Sequence, residues 1–376
     1  MSQSWSQFDY QMMARAIRLA WRGLYTTSPN PRVGCVLVRD GEVIGEGYHI
    51  RAGEGHAEVN ALAAAGDARG ATAYVTLEPC SHHGKTPPCA EALVNAGVSR
   101  VIAAMVDPNP QVAGRGMNKL ADAGIEISSG LLEAQARELN PGFIKRMESG
   151  TPFVRIKLAS SLDGRTAMAS GESKWITGSA ARQDVQRLRA RSSAIITGVD
   201  SLIHDDSSLT VREPELGLDN AAEIVRTQPL RVVLDSQLRT PLSAAILKQP
   251  GRTVIATLDD SGEKADALRQ AGAEIVSFGE ENGRISLTEL LQWLASEQCN
   301  EVLFETGATL AGVVMQQQLA DQVWLYQAPV FMGSETRPLF DWPIHQMADK
   351  CKLEVVDQRQ FGPDIRLILQ PETGEK

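Results

Sequence analysis

His56-Ala57-Glu58, followed by Thr76-Leu77-Glu78-Pro79-Cys80-Ser81-His82-His83-Gly84-Lys85-Thr86-Pro87-Pro88-Cys89, is the pattern that orders the rest of the chain. One imidazole and two thiolates make a borderline-soft donor set that suits zinc. Three protein ligands leave the fourth tetrahedral position to water, whereas a structural zinc site normally takes four from the protein. His56, Cys80 and Cys89 are therefore the expected ligands of one Zn2+.

Zinc in such a site makes water a nucleophile near neutral pH, and a carboxylate beside it must move the proton. Glu58, two residues after the first ligand and at the start of an expected helix, has that role. A His-x-Glu followed by two cysteines is the pattern of a zinc deaminase, which replaces an exocyclic amine on a pyrimidine-type ring with oxygen. Deaminases acting on nucleosides and nucleic acids usually have two residues between the cysteines. Here eight intervene, Ser81 to Pro88, and within them Lys85 and Thr86 are candidates to meet a phosphate or the pyrimidine edge. Asn30, in Pro29-Asn30-Pro31-Arg32-Val33-Gly34, is a further candidate for the pyrimidine edge, against its plain reading as a turn asparagine.

Outward from this pattern, apolar residues at helical spacing predict a helix over Phe8–Leu24. Asp40-Gly41 predicts a hairpin between Cys35–Arg39 and Val43–Tyr48. A helix Ala57–Ala65, a strand Ala73–Leu77, a helix near Ala90–Ala96 and a strand Arg100–Val106 follow, an alternation that predicts layered α/β architecture. Asn140-Pro141-Gly142 and Gly150-Thr151-Pro152 bracket the expected boundary, dividing residues 1–149 from 150–376. The second half restarts with a strand Phe153–Leu158, carries apolar runs at Ala194–Thr197, Arg231–Leu234, Thr253–Ala256 and Glu301–Phe304, and closes on a hairpin of Leu353–Val356 with Ile365–Leu369.

At 376 residues, two domains of roughly 150 to 200 residues each are expected. The net charge of −9 divides into about −1 and −8 across the two halves. Neither half is the basic surface that a nucleic-acid backbone requires. No run of about 18 apolar residues is present, and a cytoplasmic enzyme without membrane contact is expected. Five cysteines give no disulfide framework, and Cys35, Cys299 and Cys351, in or beside apolar segments, read as buried structural thiols.

The second half lacks a G-x-G-x-x-G after a strand. It offers instead Gly307-Ala308-Thr309-Leu310-Ala311-Gly312 after a strand ending at Glu305, where backbone N–H groups opening a helix suit a phosphate, or where the turn is simply tight.

Taken together, these residues resemble the bifunctional riboflavin-biosynthesis deaminase-reductases. Pro29-Asn30-Pro31 to Gly34, His56-Ala57-Glu58, the run Thr76 to Cys89 with its long cysteine gap, and Asp107-Pro108-Asn109-Pro110 carry the resemblance in the first half. Lys157-Leu158-Ala159-Ser160-Ser161-Leu162-Asp163-Gly164, Ser173-Lys174-Trp175-Ile176-Thr177-Gly178, Asp205-Asp206 leading to Leu209-Thr210-Val211-Arg212, and Glu305-Thr306-Gly307 carry it in the second.

The resemblance implies a cytidine-deaminase-like three-layer α/β domain followed by a dihydrofolate-reductase-like α/β domain. It implies hydrolytic deamination of a pyrimidine ribosyl phosphate, then reduction of the ribosyl chain to ribityl by NADPH, in a homo-oligomer. It further implies that Ala159, Trp175, Ser201, Asp205, Gly307, Ala308, Thr309 and Leu310 contact NADPH, and that Ser173, Arg189, Leu209, Arg212 and Glu305 contact substrate. Arg189 and Arg212 suit a phosphate through planar forks, and Glu305 suits ribose hydroxyls. Lys157 and Asp163 are candidate acids for the reduction. A deaminase of another nucleotide or of a nucleic-acid base, with an inactive or scaffolding second domain, is the rival reading. The long cysteine gap, the acidic charge and the intact zinc and glutamate set all weigh against it.

Overall fold

The computed structural model describes residues 4–81, 88–110 and 112–372. The chain divides into two compact units, residues 1–151 and 152–376, against an expected division after residue 149.

In the first unit, helix α1 (Gln7–Ala20) starts at a capping box in which Ser6 Oγ accepts from Asp9 N and the Asp9 carboxylate accepts from Ser6 N. It ends four residues before the expected Leu24, the chain tightening into a 3-10 turn at Trp21–Gly23. Strands β1 (Gly34–Arg39) and β2 (Glu42–Tyr48) form the expected hairpin, with Asp40 and Gly41 both at positive φ as a right-twisting two-residue turn requires. After α2 (Ala57–Ala65) come β3 (Thr72–Val75), α3 (Cys89–Asn95), β4 (Arg100–Ala103), α4 (Arg115–Asp122), β5 (Glu126–Ser129), α5 (Glu133–Leu139) and α6 (Pro141–Ser149).

The sheet order is β2-β1-β3-β4-β5, antiparallel in the first three strands and parallel from β3 onward. Alternation sends Val36, Val38, Tyr74 and Ile102 to the face covered by α1, α5 and α6. Cys35, Leu37, Ala73, Val75 and Val101 go to the face covered by α2, α3 and α4, giving three layers. Strands β3 and β4 stop short of the expected Leu77 and Val106, because beyond Val75 and Ala103 the chain bends out into the loops that carry the site. Asn140 is no exposed turn: it is buried, its Oδ1 accepting from Arg32 N and its Nδ2 donating to Arg32 O, both at 2.8 Å, and Pro141 opens α6.

The second unit runs β6 (Phe153–Ser161), β7 (Arg165–Ala167), α7 (Ser179–Arg191), β8 (Ala194–Gly198), α8 (Val199–Asp205), α9 (Glu213–Leu216), α10 (Ala221–Ile224), β9 (Leu230–Leu234), β10 (Thr253–Thr257), α11 (Glu263–Gln270) and β11 (Glu274–Ser277). It continues with a small pair β12 (Glu280–Glu281) and β13 (Arg284–Ile285), then α12 (Leu287–Ser296), β14 (Glu301–Glu305), α13 (Ala308–Gln316), β15 (Gln322–Ala328), β16 (Arg337–Pro338), β17 (Leu353–Phe361) and β18 (Asp364–Pro371). Among the described residues, β7 pairs only with β16.

The main sheet has nine strands in the order β11-β10-β9-β8-β14-β6-β15-β18-β17. Seven are parallel; β18 pairs antiparallel with β15, and β17 pairs antiparallel with β18. Ile156, Ile196, Val232, Val254 and Phe304 pack under α12 and α13, while Ile195, Val233, Ile255 and Leu303 pack under α7, α8 and α11. The chain steps outward from β8 to β11, then returns to insert β14 between β8 and β6. Connections thus leave neighbouring strand ends in opposite directions, which opens a crevice at the C-terminal edge, the usual ligand position in such sheets.

Candidate active sites

In the first unit the expected zinc ligands converge. Ligand atoms of His56, Cys80 and Cys89 all lie within 4.8 Å of one another. His56 Nδ1 is 3.2 Å from Cys89 Sγ and 3.6 Å from Cys80 Sγ. Tetrahedral zinc with ordinary Zn–N and Zn–S bonds separates its ligands by roughly 3.3 to 3.8 Å, so the donor set fits the ion. His56 is the N-cap of α2 and Cys89 the first residue of α3, so two helix starts present ligands from one side of the sheet. Cys89 N donates to Cys80 Sγ at 3.3 Å. The side-chain contact with the Cys89 thiol pulls the Cys80 thiol down, against burial, and the same thiol–thiol contact drives Cys89 up.

Glu58, in the first turn of α2, is buried beside these ligands. Burial, and after it the charge of Cys80, raise its carboxyl to about 7, against a backbone hydrogen bond, His56 and Cys89. A carboxyl near neutrality both accepts and returns a proton at working pH.

Asn30 is half-buried, and its Nδ2 donates to His49 Nε2 at 3.1 Å. His49 Nδ1 donates in turn to Gly55 O at 3.2 Å, and the His49 ring meets His56 edge-on at 5.2 Å between centroids. Burial lowers the His49 pKa and the Gly55 carbonyl only partly restores it, so the ring is held as a neutral acceptor for Asn30. Sequence reasoning missed His49, for which the only sign is a lone histidine just past a strand.

It also gave Glu78 no role. The buried Glu78 carboxylate accepts from the N–H groups of Asp107, Gly114, Gly116 and Met117 at 2.9 to 3.2 Å, pinning the turn that bears Cys80 to the start of α4. Gly116 is required there, since a Cβ would lie 1.9 Å from Pro79 O. Lys85 and Thr86 lie outside the described residues.

In the second unit, the crevice is a cavity of about 1490 Å³. That exceeds the roughly 300 to 1,000 Å³ of a single-ligand pocket and leaves room for a cofactor and a substrate together. Ala159, Trp175, Ser201, Asp205, Gly307, Ala308, Thr309 and Leu310 line it, as do Ser173, Arg189, Leu209, Arg212 and Glu305. Trp175 is 69% exposed, with the Arg182 guanidinium 4.5 Å from its ring centroid, and offers a flat apolar face at the rim. Gly307 caps α13, and a Cβ on it would meet Ser201 Oγ at 3.6 Å, so the chain from β14 passes close to α8 before presenting helix-start N–H groups.

The expected free fork at Arg189 is instead engaged. Its Nε and Nη2 donate to the two Glu305 oxygens at 2.6 and 2.9 Å, and Nη1 donates to Thr210 O at 3.1 Å. Burial raises the Glu305 carboxyl but Arg189, Lys157 and Arg212 outweigh it, so Glu305 stays ionised; burial lowers Lys157. Leu209 is buried and left-handed, at φ 50°, so only its main chain can face a ligand. Arg212 is half-exposed and pairs with Glu215 at 2.9 Å. Asp163 does not line the cavity: it accepts from Ser161 and from the N–H groups of Met332 and Gly333, the Ser161 bond first holding it at about 2, and it is a turn fastener rather than an acid.

Cys35 and Cys299 are buried as expected, but Cys351 is exposed. The apolar run beside it belongs to β17, an edge strand with Leu353, Val355 and Val356 facing outward. Among the described residues, no helix is long and apolar enough to cross a membrane.

Fold and sites thus define a two-domain enzyme, with a zinc deaminase unit followed by a reductase unit. Residues 6–105 match the cytidine and deoxycytidylate deaminase zinc-binding region, and residues 152–367 match the RibD C-terminal domain. The riboflavin biosynthesis protein RibD of Escherichia coli (strain K12) is 50% identical over 367 residues, covering 96% of this chain and 99% of its own. That of Haemophilus influenzae is 48% identical over 376 residues, covering 97% and 98%. The structure of Acinetobacter baumannii RibD, form 1, superposes with a TM-score of 0.91 at 49% identity over 98% of this chain and 99% of its own. A diaminohydroxyphosphoribosylaminopyrimidine deaminase/5-amino-6-(5-phosphoribosylamino)uracil reductase from Thermotoga maritima gives 0.83 at 31% identity over 97% and 99%. The chain belongs to the RibD family of riboflavin biosynthesis proteins, bifunctional deaminases and reductases that use zinc and NADPH.

Proposed function

We propose that this chain deaminates 2,5-diamino-6-(5-phosphoribosylamino)pyrimidin-4(3H)-one and then reduces the ribosyl side chain of the product to ribityl. The observation that carries the first step is the buried Glu58 beside the triad of His56, Cys80 and Cys89. Zinc on those three residues supplies the Lewis acidity that makes water a nucleophile. Glu58 takes the proton from the attacking water and returns it to the amine; the C–O bond forms, the C–N bond breaks and ammonia leaves. Asn30, held by His49, reads the pyrimidine edge, and Lys85 and Thr86 meet the phosphate or ring.

For the second step, NADPH held in the cavity of the second unit would supply the hydride that the anomeric carbon takes up. Glu305, fixed by Arg189, accepts from ribose hydroxyls. Lys157 gives the proton to the sugar oxygen as its bond to that carbon breaks; its support is burial in the same cavity wall beside Glu305. Ser173, Arg212 and the Leu209 backbone complete the substrate side. Ala159, Trp175, Ser201, Asp205 and the turn Gly307 to Leu310 hold the cofactor.

The acidic charge supports a small-molecule substrate over nucleic acid in a cytoplasmic enzyme, and the outward β17 edge with Leu353, Val355 and Val356 suits a homo-oligomer. Mass analysis of the product from the diaminopyrimidine and NADPH tests the assignment: a ribitylamino-uracil phosphate is expected, and unchanged substrate contradicts it.

A further inference from the structure

We propose that Arg239 recognises the 2′-phosphate of the nicotinamide dinucleotide, and so makes the reductase prefer NADPH to NADH; this rests on the cofactor assignment above. Along the cavity the strand ends come in the order β6, β14, β8, β9, three steps of about 4.8 Å that together span roughly 14 Å. Glu305, which holds the substrate, ends β14, and Lys157, which protonates it, is its register partner midway along β6, so the nicotinamide belongs beside these two strands. The turn at Gly307, suited to the diphosphate, follows β14. The adenosine therefore falls toward the ends of β8 and β9, where the lining residues are Asp200, Ser236 and Arg239.

Arg239 is preset for an anion at that end. It projects from a turn that is locked from below, because the fully buried Asp235 carboxylate accepts from both Thr240 N and Thr240 Oγ1 at 2.7 Å. Leu238, left-handed at φ 54° and buried, anchors the same turn and leaves the next side chain directed outward. There the Arg239 guanidinium meets Asp200 at 2.8 Å, with the two side chains 45% and 85% exposed. An ion pair that wet contributes little, so a phosphate dianion displaces Asp200 at small cost and takes the planar fork in a bidentate contact. NADH, with a hydroxyl at this position, gains no such contact and leaves Arg239 on Asp200. Arg284 also lines the cavity, where it stands exposed on the small β13 strand.

The test is equilibrium binding of NADPH and of NADH to the full-length zinc-loaded protein, followed by calorimetry, for wild type, Arg239→Ala, Asp200→Asn and Arg284→Ala. Arg239→Ala is expected to weaken NADPH roughly tenfold or more while NADH moves less than about twofold. Asp200→Asn, which removes the competing carboxylate, is expected to tighten NADPH and leave NADH in place. Equal weakening of both cofactors by Arg239→Ala, or a selective loss on Arg284→Ala in its stead, overturns the proposal. Wild type binding NADPH and NADH equally well also overturns it while the cofactor assignment stands; wild type binding neither removes both.

Discussion

The Arg189 guanidinium lies in a two-point contact on the Glu305 carboxylate, with both side chains nearly buried at 13% and 10% exposure. The pair bridges α7 and the end of β14, and it keeps a carboxylate ionised in a wall where burial alone would neutralise it. In the proposed role of Glu305 as acceptor for substrate hydroxyls, Arg189 is the first of the cations that keep the carboxylate charged.

Arg189→Ala is expected to lower reduction of the deaminated intermediate by about a hundredfold or more, and to destabilise the second unit by about 3 kcal/mol, because a buried carboxylate loses its partner. Ammonia release from the diaminopyrimidine is expected to continue. Steady-state NADPH oxidation together with a denaturant titration checks both, and wild-type reduction by this variant would remove Arg189 from the site.

Glu58→Gln keeps the size of the side chain but cannot carry a proton. Deamination is expected to fall by roughly 10² to 10⁴ while zinc remains bound, read by ammonia assay and metal analysis of the same sample. Normal ammonia release would refute the assignment of Glu58.

Gly116→Ala sets a methyl against Pro79 O and forces the turn that carries Cys80 to move. A loss of about 1 to 3 kcal/mol in stability is expected, accompanied by weaker zinc retention against a chelator. Unchanged stability and zinc retention would mean that the turn is free to shift and that Glu78 does not fix it.

Asp9 gives the pH dependence. Burial alone would raise its carboxyl, but hydrogen bonds from Ser6 and Tyr74 and the charge of Arg100 outweigh burial and hold it below its ordinary 3.8. A depressed carboxylate stabilises the folded state above its unfolded pKa and loses that contribution as pH falls through the folded value. The stability difference between wild type and Asp9→Asn is therefore expected to be about 1 to 2 kcal/mol at neutral pH, and to shrink below about pH 4. Denaturant midpoints at pH 7, 5 and 3 check this, and a pH-independent difference would contradict it.

What the sequence discloses follows from the range of the interaction. Strand and helix alternation, the Asp40-Gly41 turn and the zinc ligands depend on local periodicity or on residue types that few other roles explain. His49 and Glu78 escaped because their partners leave no sequence trace: Glu78 is satisfied by backbone N–H groups 29 to 39 residues away. Arg189 reads locally as a solvated helix residue, since its carboxylate partner lies 116 residues further on. Cys351 misled because an apolar run on an edge strand resembles one in a core until the sheet order is known.

The most direct test of the whole account is NADPH oxidation by the purified protein on the diaminopyrimidine ribosyl phosphate, with matched samples before and after zinc removal. The account predicts oxidation in step with ammonia release, abolished without zinc and restored when the deaminated intermediate is supplied. Ammonia release without any NADPH oxidation would contradict it, leaving the deaminase in place and removing the reductase assignment of the second unit.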